Sequence, residues 1–156
     1  GSGSAAKNWP LSHYYEVARA LAFEGGIKVV WLTGPAERPM LPYIQDLAAA
    51  QEQVVWAEEP LARVARLLSR ARVYLGGDSG LTHLAGAAGA HRVVALFGPT
   101  DPFYVGPQNR RSRVVRAEGM PCIPCYLREC DHRDCMKNIR VETVVQACEE
   151  VLDQER

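Results

Sequence analysis

The sequence predicts a doubly wound α/β fold, in which helices cover both faces of a parallel sheet. Apolar residues switch repeatedly along the chain between short runs that suit strands and the 3.6-residue spacing of helices. The short runs lack polar alternation, as strands do when both of their faces are buried. Because these runs are bounded by Gly and Pro, an all-helix fold is excluded. Alternating strands and helices indicate βαβ units.

The first four strands are predicted from β-branched and aromatic residues at 27–33, 53–57, 72–76 and 92–98. A first helix is predicted from Ser12, a candidate N-cap, to the Gly25-Gly26 pair. Pro39 and Pro60 each suit the first turn of a further helix, and residues 79–89 form a short helix of small residues.

The pattern loosens after Pro99. Residues 112–117 predict one more strand, and an irregular segment that contains cysteines follows at 119–138. A last helix is predicted from the helical spacing of Val141, Val144, Val145, Cys148, Val151 and Leu152.

Composition excludes several classes of protein. The 156 residues carry 18 basic and 18 acidic side chains, and 47% of them are hydrophobic. Intrinsic disorder is therefore excluded, and zero net charge argues against a nucleic-acid surface as the main function. The longest apolar run, Val93 to Phe97, is too short for a transmembrane segment, and the chain does not open with a secretory signal. The length suits one domain.

The strongest local motif is GGDSGLTHL at residues 76–84, between a predicted strand and a predicted helix. The amides of residues 79–81 would present the positive end of the helix dipole to a phosphate, and His83 would add a hydrogen bond. Asp78 suits sugar hydroxyls. Equally open is the alternative that Asp78 or Ser79 merely caps the helix and that His83 packs in the core.

Three further segments follow predicted strands or precede a helix. The start of the chain, Gly1-Ser2-Gly3-Ser4 with Lys7, suits a diphosphate, although GSGS also has the composition of an expression linker. Glu37 would take ribose hydroxyls or favour a helix N-terminus. In the loop at 98–102, the favoured role for Asp101 is that of a local cap.

Four of the five cysteines form a C-x2-C-x4-C-x4-C pattern: Cys122, Cys125, Cys130 and Cys135. Four thiolates would make a closed, structural zinc site that pins a loop with little core of its own. Free or partly oxidised thiols are an equal alternative. Cys148 lies apart, on the apolar face of the last helix, and is predicted to be a core residue.

Taken together, Lys7-Asn8-Trp9-Pro10 and the motifs DSGLTH (78–83) and FGPTDP (97–102) resemble the bacterial ADP-heptose:lipopolysaccharide heptosyltransferases, glycosyltransferase family 9. The cysteine segment, which ends in Cys135-Met136, is similar to that family too. The resemblance implies that residues 1–156 are the Rossmann-like, C-terminal donor domain of a two-domain GT-B enzyme. It further implies inverting transfer of heptose from ADP-heptose to the lipopolysaccharide inner core, without a metal, in the cytoplasm at the inner face of the inner membrane.

The resemblance also implies roles for single residues: Lys7 and His83 on the donor phosphates, Ser2 near them, Glu37 on the adenosine ribose, Asp78 on heptose hydroxyls, and the amides of Ser79, Gly80 and Leu81 on the diphosphate. The role of Ser2 favours a native GSGS loop. No catalytic residue is expected in this chain, because in the family the acceptor domain supplies the general base. The chain alone is therefore expected to be inactive.

Two departures from the family qualify this interpretation. The strand that precedes the small-residue loop in the family is not part of this chain, so the sheet is expected to lack an edge or inner strand. Glu58-Glu59 occupies a region where the family has apolar residues near adenine, which puts the base in doubt. A GT-B transferase with a UDP-sugar donor and a non-catalytic nucleotide-binding module therefore remain as alternatives.

Overall fold

A computed structural model describes residues 2–108 and 112–153. All strand pairs in it are parallel, and each strand has four residues. The strands are β1 (Val30–Thr33), β2 (Val54–Ala57), β3 (Tyr74–Gly77), β4 (Val93–Leu96) and β5 (Ser112–Val115). All five predicted strands are confirmed, with bounds shorter than expected at most ends.

The helices of the described residues are α1 (Leu11–Gly25), α2 (Leu41–Ala49), α3 (Leu61–Leu68), α4 (Gly80–Ala88), α5 (Pro102–Val105), α6 (Asp134–Lys137) and α7 (Val141–Asp153). Ser12 is not the N-cap of α1, because the helix already begins at Leu11 and the Pro10 carbonyl accepts from the His13 amide at 3.1 Å. Pro39 lies in a 3-10 helix, Pro35–Met40, that precedes α2. None of the helices in the described ranges has the length and apolarity needed to cross a membrane.

The strands form two sheets. In one, β1 pairs with β2, with Val30 opposite Val54. In the other, the order is β3-β4-β5, with Val93 between Tyr74 and Ser112. Within residues 2–108 and 112–153, no ladder of hydrogen bonds joins β1 to β3.

The core lies on both faces of the three-stranded sheet, as β4 shows. Val94 and Leu96 pack in a cluster with residues of α1 and α7, among them Val17 and Val144. The alternate residues Val93, Ala95 and Phe97 pack in a second cluster with residues of α3 and α4, namely Val64, Leu68 and Ala85. Each β4 side chain is fully buried, which explains the lack of polar alternation in the sequence.

Cys148 confirms its predicted place in the core on α7, where it is fully buried. Burial, with a smaller contribution from the charge of Glu149, raises the pKa of the thiol to about 12. The thiol is therefore neutral at ordinary pH and behaves as a small apolar side chain.

Candidate functional site

Three separate segments of the chain meet at the carboxylate of Asp78. This residue directly follows β3 and is 7% exposed. Its Oδ2 atom lies 2.6 Å from Nζ of Lys7 and accepts a hydrogen bond from Oγ1 of Thr100 at 2.8 Å. The carboxyl ends of parallel strands meet at one edge of a sheet, and ligands of open α/β sheets bind there. The structure thus brings together Lys7 and Asp78, two of the predicted site residues, and adds Thr100.

Lys7 is held in place by the cysteine segment. The 3-10 turn Ala5–Lys7 is fixed by Arg128, whose carbonyl accepts from the Ala6 amide at 3.1 Å and from Oγ of Ser4 at 2.8 Å. On the other side, the Lys7 carbonyl approaches β3 so closely that a Cβ atom on Gly77 would lie 3.3 Å from it. Gly77 therefore allows the Lys7 backbone to pack against the end of β3.

Thr100 belongs to a buried loop that follows β4. Its carbonyl and that of Gly98 each accept a hydrogen bond of 3.3 Å from Nη2 of Arg116. The carbonyl of Pro99 accepts from the amides of Cys125 and Tyr126, both at 2.9 Å. Sequence analysis missed Thr100, because a Thr among turn residues gives no signal beyond the turn itself.

Asp101, in the same loop, is a local cap as predicted. It is the N-cap of α5, and its carboxylate accepts a hydrogen bond from the Phe103 amide at 3.0 Å. Its side chain therefore satisfies the start of a short helix, and the loop contributes Thr100 to the site instead.

The start of α4 has the geometry that the anion hypothesis requires. Ser79 is the N-cap, with extended backbone and no side-chain capping bond, and its carbonyl accepts from the Thr82 amide at 3.1 Å. The amides of Ser79, Gly80 and Leu81 precede these first helical bonds and are the donors that a helix start leaves unsatisfied. Ser79 thus occupies the capping position without a side-chain cap, whereas Asp78 faces Lys7 and Thr100 and does not cap the helix. His83 is exposed, so the alternative that it packs in the core is wrong.

Ser2 lies close to Lys7 but bonds within its own loop. Its hydroxyl donates to the Ser4 carbonyl at 2.9 Å, and its amide donates to Oδ1 of Asn8 at 2.7 Å. Together with Lys7, Gly77 and Tyr14, Ser2 lines a cavity of about 30 Å³. Tyr14 is a further residue that sequence analysis missed, although its helical spacing to Val17 and Ala18 places it on the buried face of α1.

Glu37 lies in the 3-10 helix after β1, where its Oε2 atom accepts from the Gly34 amide at 2.8 Å. Burial raises the pKa of Glu37, but hydrogen bonds, the one from Gly34 among them, hold it below its ordinary value. The same carboxylate also affects Tyr14. Burial is the main reason that the pKa of the Tyr14 phenol is raised, and the charges of Tyr74 and Glu37 raise it further. The observed role of Glu37 is that of a turn cap, and its role on a ribose stays a prediction.

The cysteine segment is irregular, as predicted, apart from the single-turn helix α6. Cys122 is exposed and Cys135 is buried, and all five thiols are free. Burial raises the pKa of Cys135, and the charges of Cys122, Cys125 and Cys130 raise it further. Within the described ranges, no group of three or more His, Cys, Asp or Glu side chains is arranged to hold a metal ion. Zinc binding by the four cysteines stays a prediction.

A cavity of about 520 Å³ lies apart from Asp78, between the start of α1 and the start of α7. It is open to solvent, and acids and bases alternate around it, with Arg140 and Glu142 forming an ion pair of 3.6 Å. This mixed lining favours no class of ligand. The candidate site is therefore assigned by the chemistry at Asp78 rather than by cavity size.

Comparison with known proteins identifies the family of this chain. The family model described as glycosyltransferase family 9 (heptosyltransferase) matches residues 1–136. This chain belongs to glycosyltransferase family 9. The family 9 chain is 31% identical over 134 residues to lipopolysaccharide heptosyltransferase 1 of Pseudomonas aeruginosa, a match that covers 85% of the chain and 36% of that protein. It is 35% identical over 116 residues to lipopolysaccharide heptosyltransferase 2 of Salmonella typhimurium, covering 71% of the chain and 32% of that protein.

Solved structures show the same fold. The E. coli heptosyltransferase WaaC with ADP superposes with a TM-score of 0.77 at 27% identity, over 97% of this chain and 42% of that one. The E. coli ADP-heptose lipopolysaccharide heptosyltransferase II gives a TM-score of 0.79 at 26% identity, over 99% and 45%. The family 9 chain thus spans about a third of the length of these two curated relatives and less than half of the two solved chains. The predicted α/β fold of family 9 is confirmed.

Proposed function

We propose that this family 9 chain is the donor-binding half of an inverting heptosyltransferase that uses ADP-heptose and needs no metal for transfer. The observation that carries the proposal is the convergence of Lys7 and Thr100 on the Asp78 carboxylate beside the start of α4. The site thus offers an ammonium group and helix amides to a diphosphate, next to a carboxylate for sugar hydroxyls.

Transfer requires the site to stabilise the leaving nucleotide. As the bond between the anomeric carbon and the diphosphate breaks, negative charge grows on the leaving phosphate. Lys7 and the amides of residues 79–81 are fixed before the donor arrives, so they stabilise that charge without reorganisation. His83, exposed on the first turn of α4, would reach a phosphate oxygen from the solvent side. Both contacts to Asp78 converge on Oδ2, which leaves Oδ1 for a heptose hydroxyl.

Asp78 is unsuited to act as the general base. Its Oδ2 atom is already engaged by the Lys7 ammonium and the Thr100 hydroxyl, and its other oxygen is assigned to the donor sugar rather than to an acceptor hydroxyl. We therefore assign deprotonation of the acceptor to an acceptor domain outside this chain. The chain alone would bind the donor and transfer nothing. The acceptor would be the lipopolysaccharide core, reached through that domain at the cytoplasmic face of the inner membrane.

The acidic pair Glu58-Glu59 gives little reason to reject adenine. Glu58 forms an ion pair of 2.6 Å with Arg38, and Glu59 one of 2.8 Å with Arg63. Since both carboxylates already have a cationic partner, no unpaired acid follows β2. The acidic pair is therefore compatible with an ADP donor.

Calorimetric titration of the 156-residue chain with ADP, and separately with UDP, tests the proposal. We expect ADP to bind and Lys7→Ala to weaken it by about tenfold or more, the size of a lost charge-assisted hydrogen bond. Lys28→Ala, which removes an exposed lysine elsewhere, is the matched control and should bind ADP as the parent chain does. Tighter binding of UDP would favour the UDP-sugar alternative. A folded chain that binds neither nucleotide would overturn the donor-site assignment.

A further inference from the structure

We propose that Arg116 is a positioning residue of the donor site, which acts on Asp78 through Thr100. This inference rests on the proposed function and extends it to a residue in a different strand. Arg116 directly follows β5, the parallel neighbour of β4. Just after β4 ends, the Phe97 amide donates to the carbonyl of Val115, the last residue of β5, at 3.0 Å.

Beyond that hydrogen bond, the Arg116 side chain connects the end of β5 to the loop that follows β4. Nη2 of Arg116 donates to the carbonyls of Gly98 and Thr100, both at 3.3 Å. One guanidinium nitrogen therefore fixes the loop on either side of Pro99. A planar guanidinium holds two acceptors in one geometry, which a flexible ammonium does less well.

The fixed loop presents the Thr100 hydroxyl to Asp78. Thr100 is 5% exposed, and its Oγ1 donates to Oδ2 of Asp78 at 2.8 Å. Lys7 reaches the same oxygen. Arg116 thus sets one of the two contacts that orient the carboxylate, and we expect that orientation to decide whether Oδ1 faces a donor sugar.

The observed contacts of Arg116 are to this loop. In residues 2–108 and 112–153, Arg116 forms no ion pair with an Asp or Glu, and its buried Nε atom has no hydrogen-bond partner. A partly buried cation without a carboxylate partner is unfavourable in a free protein. Its hydrogen bonds go to the carbonyls of Gly98 and Thr100, so its effect is directed to the loop that holds Thr100.

A double-mutant cycle tests the positioning role. Arg116→Gln and Thr100→Val are each expected to weaken ADP binding by about tenfold, measured by calorimetry. Because Arg116 acts through Thr100, we expect the double variant to bind ADP about as weakly as either single variant. Arg113→Gln is the matched control: it removes the same charge from the same strand, where Arg113 pairs with Glu150, and should leave ADP affinity unchanged. Additive losses in the double variant would overturn the proposal.

A second readout needs no ligand, so it separates this inference from the donor-site assignment. The Cys125 and Tyr126 amides donate to Pro99, between the two carbonyls that Arg116 holds. Their hydrogen exchange in the free chain should be about fivefold faster in Arg116→Gln and unchanged in Arg113→Gln. If the parent chain binds no ADP, the proposed function fails while this measurement still decides the role of Arg116. If Arg116→Gln does not fold, Arg116→Lys takes its place, and the exchange of the Cys125 and Tyr126 amides should be faster in it than in the parent chain. Exchange at the parent rate in Arg116→Lys would overturn the proposal.

Discussion

Nζ of Lys7 and Oδ2 of Asp78 lie 2.6 Å apart, and the two side chains are 27% and 8% exposed. The ion pair joins the first segment of the chain to the end of β3, and it is shielded enough from water to be stronger than a surface pair. In an unliganded site it also prevents Asp78 from being a buried charge without a partner.

Removal of either partner should therefore cost more than removal of both. Lys7→Ala leaves a buried carboxylate with only Thr100, so we expect the free energy of unfolding to fall by about 1 to 3 kcal/mol. Lys7→Ala combined with Asp78→Asn should restore part of that loss while ADP binding stays weak. Urea unfolding of the single and double variants measures these changes in the free energy of unfolding. Equal stability of Lys7→Ala and the parent chain would contradict a stabilising pair.

Thr100 allows a test of the hydroxyl alone. Thr100→Val keeps the shape of the side chain and removes the donor to Oδ2 of Asp78, so we expect a loss of about 1 kcal/mol in the free energy of unfolding. Thr100→Ser keeps the hydroxyl and should retain ADP affinity much better than Thr100→Val. Thermal unfolding and calorimetry on the pair separate the hydrogen bond from packing. If the serine variant binds ADP no better than the valine variant, the hydroxyl is not what matters.

Burial of Cys148 predicts how stability changes at high pH. Its folded pKa of about 12 lies above the ordinary value of 9.0, so folding favours the protonated thiol. By linkage, the stabilisation that comes from the protonated Cys148 thiol is complete below pH 9 and is lost as the pH rises from 9 towards 12. Cys148→Val should reduce the fall in the free energy of unfolding across that range. Urea unfolding of the parent chain and of Cys148→Val at a series of pH values checks this expectation.

The zinc prediction has a direct measurement. Elemental analysis of the purified chain should find one zinc ion per chain if Cys122, Cys125, Cys130 and Cys135 bind it. Dialysis against a chelator should then lower the melting temperature and weaken ADP binding, because the Arg128 and Pro99 carbonyls tie this segment to the loops of Lys7 and Thr100. Less than about a tenth of an equivalent of zinc, with an unchanged melting temperature, would indicate free thiols.

Most of the fold could be predicted from the local periodicity of apolar residues in the sequence. The β4 strand was predictable because its residues are all apolar and β-rich, and both of its faces are indeed buried. The start of α1 was not, because Ser12 is a common capping residue, whereas the N-cap is Pro10 and the helix begins at Leu11. A local rule could not choose between two capping positions that lie two residues apart.

The site was predictable only in part, for a similar reason. Asp78 was singled out because it lies in a strand–glycine–helix motif. Lys7 was singled out because small residues precede it ahead of a helix and because of its place in the family resemblance. Thr100 and Arg116 act through contacts between distant segments, and their residue types carry no local signal at those positions. Arg116 contacts the loop after β4 only because β5 lies beside β4 in the sheet, and this pairing of parallel strands cannot be read from either segment alone.

Gly77 offers the sharpest test that backbone packing sets the position of Lys7. A Cβ atom there would lie 3.3 Å from the Lys7 carbonyl and 3.8 Å from the Tyr14 hydroxyl, so Gly77→Ala must push the first segment of the chain outwards. We expect about a tenfold loss of ADP affinity with a smaller effect on the melting temperature, because a displaced Lys7 loses its contact while the core stays intact.

Gly80→Ala tests the helix start separately, since a Cβ atom on Gly80 meets no other atom within 4 Å and the residue begins α4. The new methyl group should be tolerated by the fold. A bound diphosphate, however, would approach the same amide, so in Gly80→Ala we expect weaker ADP binding with an unchanged melting temperature. If Gly77→Ala binds ADP as the parent chain does, then Lys7 tolerates a shift of its backbone, and the close approach at Gly77 serves packing alone.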